Sequence, residues 1–229
     1  MTYVVSDLHG SMDRYNELLS KIDFSDKDVL YVIGDIVDHG EDSMGILCDM
    51  SMRANVLPIV GDHDYKAARM LLAYDKFTKE GGDPDPAFIA EMNEWVKAGG
   101  ASTLAGFREL DDDMKEGVLD YLADMALYEE VTVKDETYLL VHAGIAGFSP
   151  DMVLEECAPE TFISEPLDLE REYFPDKQII VGHVPVSEIP DAEPEMIYYG
   201  NGSIAIDCGA AFGGKLACLC LDNGKEYYI

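Results

Sequence analysis

Short apolar runs, each cut off by a glycine or a polar residue, recur along the chain. Tyr3-Val4-Val5, Val29-Leu30-Tyr31-Val32-Ile33 and Val56-Leu57-Pro58-Ile59-Val60 are too short for helices and rich in β-branched residues, so they read as buried strands. Apolar residues at helical spacing follow each of them. Tyr15, Leu18, Leu19 and Ile22 predict a helix entered at Ser11 or Asp13, and Met44, Leu47, Cys48 and Met52 predict a second. A third is expected from Asp62 to Tyr74, with Ala67, Met70 and Leu71 on its inner side. Residues 1–64 thus read as three β-loop-α units.

The pattern changes over residues 75–127, which read as a helical insert. Gly81-Gly82-Asp83-Pro84-Asp85-Pro86 is a turn-rich break. Phe88, Ile89, Met92, Trp95 and Val96 predict a helix stopped by Gly99-Gly100, with its aromatic and methionine stripe serving as core. Val118, Leu119, Leu122, Met125 and Ala126 predict another, entered through Asp111-Asp112-Asp113. From Tyr128 onward the period shortens to that of strands: Tyr128–Lys134, Thr137–Val141, Gln178–Val181, Met196–Tyr199, Ser203–Ile206, Lys215–Leu221 and Glu226–Ile229. Residues 146–176 are acidic and read as loop with short helix. No linker interrupts the series, so 1–229 is expected to form a single domain of two stacked mixed sheets flanked by helices.

Charge narrows the function classes. Sixteen basic against 46 acidic residues leave a net charge of −30, which argues against a nucleic-acid polymer or an anionic membrane as partner. No window is apolar enough to span a bilayer, and no basic leader precedes Asp7. Five cysteines, an odd number lying mostly in apolar segments, are expected as free thiols in a reducing cytoplasm.

The chemistry lies where the strands stop. Val5 leads to Asp7-Leu8-His9-Gly10, and Ile33 to Gly34-Asp35-Ile36-Val37-Asp38-His39-Gly40. Val60 leads to Gly61-Asp62-His63-Asp64, Val141 to His142-Ala143-Gly144, and Val181 to Gly182-His183. All five histidines of the chain fall in these stretches, which packing alone does not account for. Mixed carboxylate and imidazole donors suit hard-to-borderline divalent metals. Asp7 and His9 can serve one ion, Asp62, His142 and His183 a second, and Asp35 can bridge them. His63 is left over as a general acid, with Asp38 holding its far nitrogen.

This order of motifs resembles the metallophosphoesterase (calcineurin-like) superfamily over nearly the whole chain. Within it, the chain is most similar to the PPP group of serine/threonine protein phosphatases and symmetrical diadenosine tetraphosphatases. Trp95, Gly99-Gly100, Thr103-Leu104, Ile206-Asp207-Cys208-Gly209 and Gly213-Gly214-Lys215-Leu216 agree with it. The resemblance implies a four-layer αββα sandwich and two divalent ions, manganese favoured, with iron, zinc, nickel or magnesium as other candidates. It also implies phosphate-ester hydrolysis by direct attack of metal-bound hydroxide, with a phosphoprotein, phosphopeptide or nucleotide as substrate.

Several positions depart from the family pattern. Asp62 stands where the family has Asn, Asp64 for Glu and Val184 for Thr. His39 and Val60 replace arginines that grip the substrate phosphate, while a third such arginine is matched by Arg171. Loss of two guanidiniums removes bidentate phosphate recognition. A dinucleoside polyphosphate hydrolase and a metal-binding module with vestigial activity therefore stand as alternatives to a PPP-type phosphatase.

Overall fold

The computed structural model describes residues 1–81 and 85–229. Gly82-Asp83-Pro84, the middle of the expected turn-rich break, lies outside them. β1 (Thr2–Val5), β2 (Val29–Ile33) and β3 (Val56–Ile59) run side by side and parallel. Pro58 is tolerated because β3 is an edge strand, where a missing N–H breaks no inner ladder. α1 (Met12–Lys21), α2 (Ser43–Ser51) and α3 (Asp62–Glu80) alternate with these strands. Ser11 sits at the cap position of α1 without a side-chain bond, whereas Asp42 caps α2 by accepting the Gly45 N–H at 2.8 Å. α3 continues past Tyr74 to Glu80.

Gly99-Gly100 interrupts the helical insert as expected, because Gly99 leaves helical φ/ψ and kinks the chain there. A second helix, which the sequence pattern does not announce, follows at once. α4 (Pro86–Trp95) runs through a wide turn over Val96–Gly100 into α5 (Ala101–Glu109). Gly99 has φ +120, which side chains avoid, and a Cβ on Gly100 would lie 2.3 Å from the Trp95 ring. The glycine pair therefore bends the helix and lets Trp95 fold back over the bend. α6 (Asp112–Ala123) is capped by Asp111, which accepts the Met114 N–H at 2.9 Å. It stops before Ala126, which forms a parallel bridge to Ile59 instead.

The second sheet holds β4 (Tyr128–Val133), β5 (Glu136–Val141), β6 (Gln178–Val181), β7 (Tyr198–Tyr199) and β8 (Ser203–Ala205), in the order β4-β5-β6-β8-β7. β5, β6 and β8 are parallel, and the outer strands β4 and β7 are antiparallel. β9 (Ala217–Cys220) and β10 (Lys225–Tyr228) return to the first sheet beside β1, in the order β10-β9-β1-β2-β3. Two mixed five-stranded sheets result, as the strand pattern predicts. Among the described residues between β5 and β6, the helical structure is short: Leu154–Glu156 and α7 (Glu160–Ile163). One continuous apolar core joins both sheets, from Val4, Leu30 and Ile59 to Leu140, Ile180 and Ile204.

Candidate metal centre

Parallel strands deliver their carboxyl ends to one edge, and the chemistry gathers there. The loops after β1 and β2 are zipped together by backbone bonds. Asp7 N–H donates to Gly34 O (3.0 Å), His9 N–H to Asp35 O (2.8 Å), Gly10 N–H to Ile36 O (2.8 Å) and Gly40 N–H to His9 O (2.9 Å). Buried Asp64 braces the same loop from α3, accepting from the N–H groups of Ile36 (2.9 Å), Val37 (3.2 Å) and Gly61 (3.0 Å). The second sheet is pinned to this edge at two points. His142 Nδ1 donates to the Ile33 carbonyl at 3.0 Å, and the His183 N–H reaches Asp7 Oδ2 at 3.2 Å.

The glycines that end the strands are there for space. A Cβ on Gly34 would lie 2.3 Å from His142 Nδ1, one on Gly61 2.2 Å from Asp35 Oδ1, and one on Gly182 2.2 Å from Asp7 Oδ2.

Asp35, Asp62, His142 and His183 turn their donor atoms toward one point. His142 Nε2 lies 3.2 Å from both Asp62 Oδ1 and His183 Nδ1, and 3.4 Å from Asp35 Oδ1. His183 Nδ1 lies 3.1 Å from Asp62 Oδ1. Donors held at zinc-like bond lengths around a tetrahedral ion sit about 3.3–3.5 Å apart, so this set fits a divalent cation with little adjustment. Asp7, His9 and Asp35 make a second group. Here His9 Nε2 lies 3.5 Å from Asp35 Oδ2 and 4.0 Å from Asp7 Oδ1. Asp35 thus offers one oxygen to each group. The bonds from the Nδ1 atoms of His9 to Val37 O (3.1 Å) and of His142 to Ile33 O leave both Nε2 atoms for a metal.

Electrostatics point the same way. Burial, with Asp207 beside Asp7 and Asp62 beside Asp35, pushes both carboxyls well above the usual range. Among the described residues, only histidines form ion pairs with these acids. Burial opposes charge on His142, but Asp62 and Asp7 outweigh it and raise its pKa to about 9. Burial likewise disfavours the charged form of Asp62, yet its contacts with His142 and His183 hold it below the carboxylate range. Buried acids without lysine or arginine partners make a donor set that calls for cations.

His63 lies at the edge of both groups. Its Nδ1 donates to Asp38 Oδ2 at 2.8 Å. Burial lowers its proton affinity, but Asp38, Asp35 and Asp62 together raise the pKa to about 9. Asp38 is fully buried and held on all sides. Trp95 Nε1 donates to its Oδ2 (2.9 Å), the Thr103 hydroxyl to its Oδ1 (2.7 Å), and its own N–H to Thr103 Oγ1 (2.9 Å) and Ser43 Oγ (3.1 Å).

The departures from the family pattern fall in different places. His39 joins the cluster, its ring 4.9 Å from that of His9 and 5.0 Å from that of His63. Val60 is 4% exposed and belongs to the core, with its N–H on the Ala126 carbonyl. Arg171 is exposed and stacks on Phe148 (5.1 Å) and Tyr173 (4.8 Å), outside the donor groups. The sequence offers no role for Ser43 and none for Thr103 or Trp95 beyond agreement with the family or core packing. Their bonds to Asp38 span up to 65 residues, and no local pattern encodes that. Asp64 was visible only as a departure, although a capping carboxylate early in a helix was a usable signal.

The profile of a family described as calcineurin-like phosphoesterase matches residues 2–224. A symmetrical bis(5'-nucleosyl)-tetraphosphatase from Acidovorax sp. (strain JS42) is 29% identical over 80% of this chain and 57% of its own length. An asymmetrical bis(5'-nucleosyl)-tetraphosphatase from Oceanobacillus iheyensis is 23% identical over 93% of this chain and 85% of its own. The chain therefore spans little more than half of the first relative and most of the second. Among solved structures, one described as a candidate diadenosine tetraphosphatase superposes with a TM-score of 0.67 at 18% identity, covering 100% of this chain and 92% of that one. A serine/threonine phosphatase from Saccharomyces cerevisiae gives 0.56 at 13% identity, covering 95% and 71%. At such identities these two likenesses concern the fold.

Proposed function

The chain belongs to the calcineurin-like phosphoesterase family, and from that premise we propose that it is a metal-dependent hydrolase of phosphoric esters. The observation that carries this reading is Asp35, offering one oxygen to each of two donor groups with the His63–Asp38 pair beside them. Asp7, His9 and Asp35 would hold one divalent ion, and Asp35, Asp62, His142 and His183 the other. Manganese suits this mixture of oxygen and nitrogen donors. When bound, such a pair acidifies water and neutralises phosphoryl oxygens. His63 protonates the departing oxygen. Asp38 fixes the tautomer of His63 and stabilises its charge, and Trp95 and Thr103 hold Asp38 in place. His39 faces the substrate phosphate with an imidazole where the family pattern has a guanidinium. Arg171 offers a guanidinium to a substrate only if its aromatic stack opens. Five free thiols support a reducing, cytoplasmic setting.

A second reading, a dinucleoside polyphosphate as substrate, is favoured by the names of the curated relatives and by Phe212. That ring is 71% exposed and lies 5.6 Å from the His39 ring, open for a base to stack on.

The test is turnover by the manganese-loaded protein on an aryl phosphate, an alkyl phosphate, a phosphopeptide and a dinucleoside tetraphosphate. Asp35→Asn should abolish turnover on all of them. His63→Asn should lower it by roughly 10²–10⁴-fold on substrates with poor leaving groups and far less on the aryl ester. No metal-dependent turnover on any of the four would overturn the reading. Equal loss on aryl and alkyl esters would remove His63 from the acid role.

A further inference from the structure

We propose that His9, His39 and His63 form an alternative seat for a single borderline divalent ion, zinc above all, and that an ion seated there shuts the centre down. The three rings make a nearly equilateral triangle, with centroids 4.9, 5.1 and 5.0 Å apart. One nitrogen from each lies within 4.8 Å of the other two. Nδ1 of His9 is committed to the Val37 carbonyl and Nδ1 of His63 to Asp38, so each presents Nε2. A ring nitrogen aimed at an ion while the other is tied to a carbonyl or carboxylate is the usual arrangement of a metal-binding imidazole.

His39 is not free to turn away. Its backbone N–H donates to the Gly99 carbonyl at 3.0 Å and anchors the main chain, and a Cβ on Gly99 would lie 2.8 Å from its ring, so Gly99 packs directly against the imidazole. Phe212 covers another side of the ring. His39 is the exposed corner of the triangle, which gives an ion a way in. No carboxylate belongs to this triad. Imidazole donors favour zinc, copper and nickel, whereas carboxylates suit magnesium and manganese. The neighbouring seat of Asp7, His9 and Asp35 has the opposite bias.

The two seats exclude each other. His9 Nε2 belongs to both groups and has one lone pair, with Asp35 Oδ2 on its carboxylate side at 3.5 Å. An ion on the triad therefore takes a ligand from the carboxylate seat. It also occupies the His63 nitrogen that a departing oxygen needs. The inhibitory consequence rests on the phosphoesterase reading; the ion binding does not.

The experiment titrates zinc into the manganese-loaded protein. Bound zinc and retained manganese are measured after equilibrium dialysis, and zinc-edge X-ray absorption reports the ligands. The first zinc should displace one manganese and show three imidazole ligands. His39→Gln and His63→Gln should each weaken zinc binding at least about 10-fold, since even a hydrogen-bond partner of a ligand is worth roughly 10–100-fold. Manganese content before zinc is added should match wild type. Equal zinc affinity in wild type and both variants, or a zinc spectrum dominated by carboxylate oxygen, would overturn the proposal. If the variants fail to take up manganese, the wild-type spectrum alone decides it. Turnover without zinc is measured separately, and its absence would count against the phosphoesterase reading while leaving the zinc result standing.

Discussion

Asp7, His9, Asp35, Asp38, His39 and His183 all hold positive φ, between 43° and 71°. Such angles cost an L-residue roughly 1–3 kcal/mol each, and Asp and His tolerate them better than most. They turn successive side chains into one small volume, which a relaxed strand end does not do. Crowding follows, and the strand-end glycines relieve it. Gly34→Ala tests this. Its φ is +86, and the new Cβ would meet His142 Nδ1 at 2.3 Å, breaking the bond that orients that ring. Affinity for an ion on Asp35, Asp62, His142 and His183 should fall roughly 10–100-fold. Metal content after dialysis and the urea midpoint should both drop, and wild-type values for both would refute the account. The residue types of the centre were legible in the sequence, because Asp and His after an apolar run stand out. Their angles were not, since φ is chosen by the loops packed around each residue.

At the scale of elements, the bent helix pair α4–α5 reaches into the centre through Trp95 and Thr103. The sequence shows the apolar stripe clearly, but a stripe that packs and a stripe that also bonds look alike. The glycine pair marks a helix break in the sequence, and Gly99 does leave helical geometry; what the sequence does not show is that α5 starts at once beyond it, with Trp95 packed over Gly100. Trp95→Phe keeps the packing and removes the donor to Asp38 Oδ2. Losing one bond of about 1–1.5 kcal/mol should lower kcat about 10-fold on alkyl phosphates, with KM little changed. Aryl phosphates should lose less. An equal fall on both ester types would mean that Trp95 does not act through His63.

At the scale of the whole molecule, the centre is a pocket of protons that metals must expel. Burial and neighbouring acids push the carboxyls of Asp7 and Asp35 well above their ordinary range, and the acids around His142 and His63 raise both imidazoles to about 9. Divalent ions need the carboxylates ionised and His142 neutral, so binding releases protons and tightens as pH rises. Calorimetry at pH 6 and pH 8 should show higher affinity at pH 8, with proton uptake by the buffer. Affinity independent of pH would contradict it. The sign for stability is the reverse in the metal-free chain. A histidine whose folded pKa is raised stabilises fully below its unfolded value of 6.5, and that stability is lost as pH climbs through about 9. The metal-free protein should therefore melt at lower temperature at pH 9 than at pH 6.5, and metal loading should close most of that gap.

The strands, the β-loop-α order of the first three and eight of the candidate site residues followed from local signals; the substrate-contact roles of His39 and Arg171 came from the family resemblance. Hydrophobic period, chain-breaking glycines and short loops act over a few residues, and those distances a sequence displays directly. How closely the donor atoms converge, what holds Asp38 and where the substituted positions point depended on contacts between distant segments. His39 and Val60 look equivalent as replacements for arginine. Only the folded chain separates them, because the strand end buries Val60 in the core while the loop after β2 turns His39 onto the rings of His9 and His63.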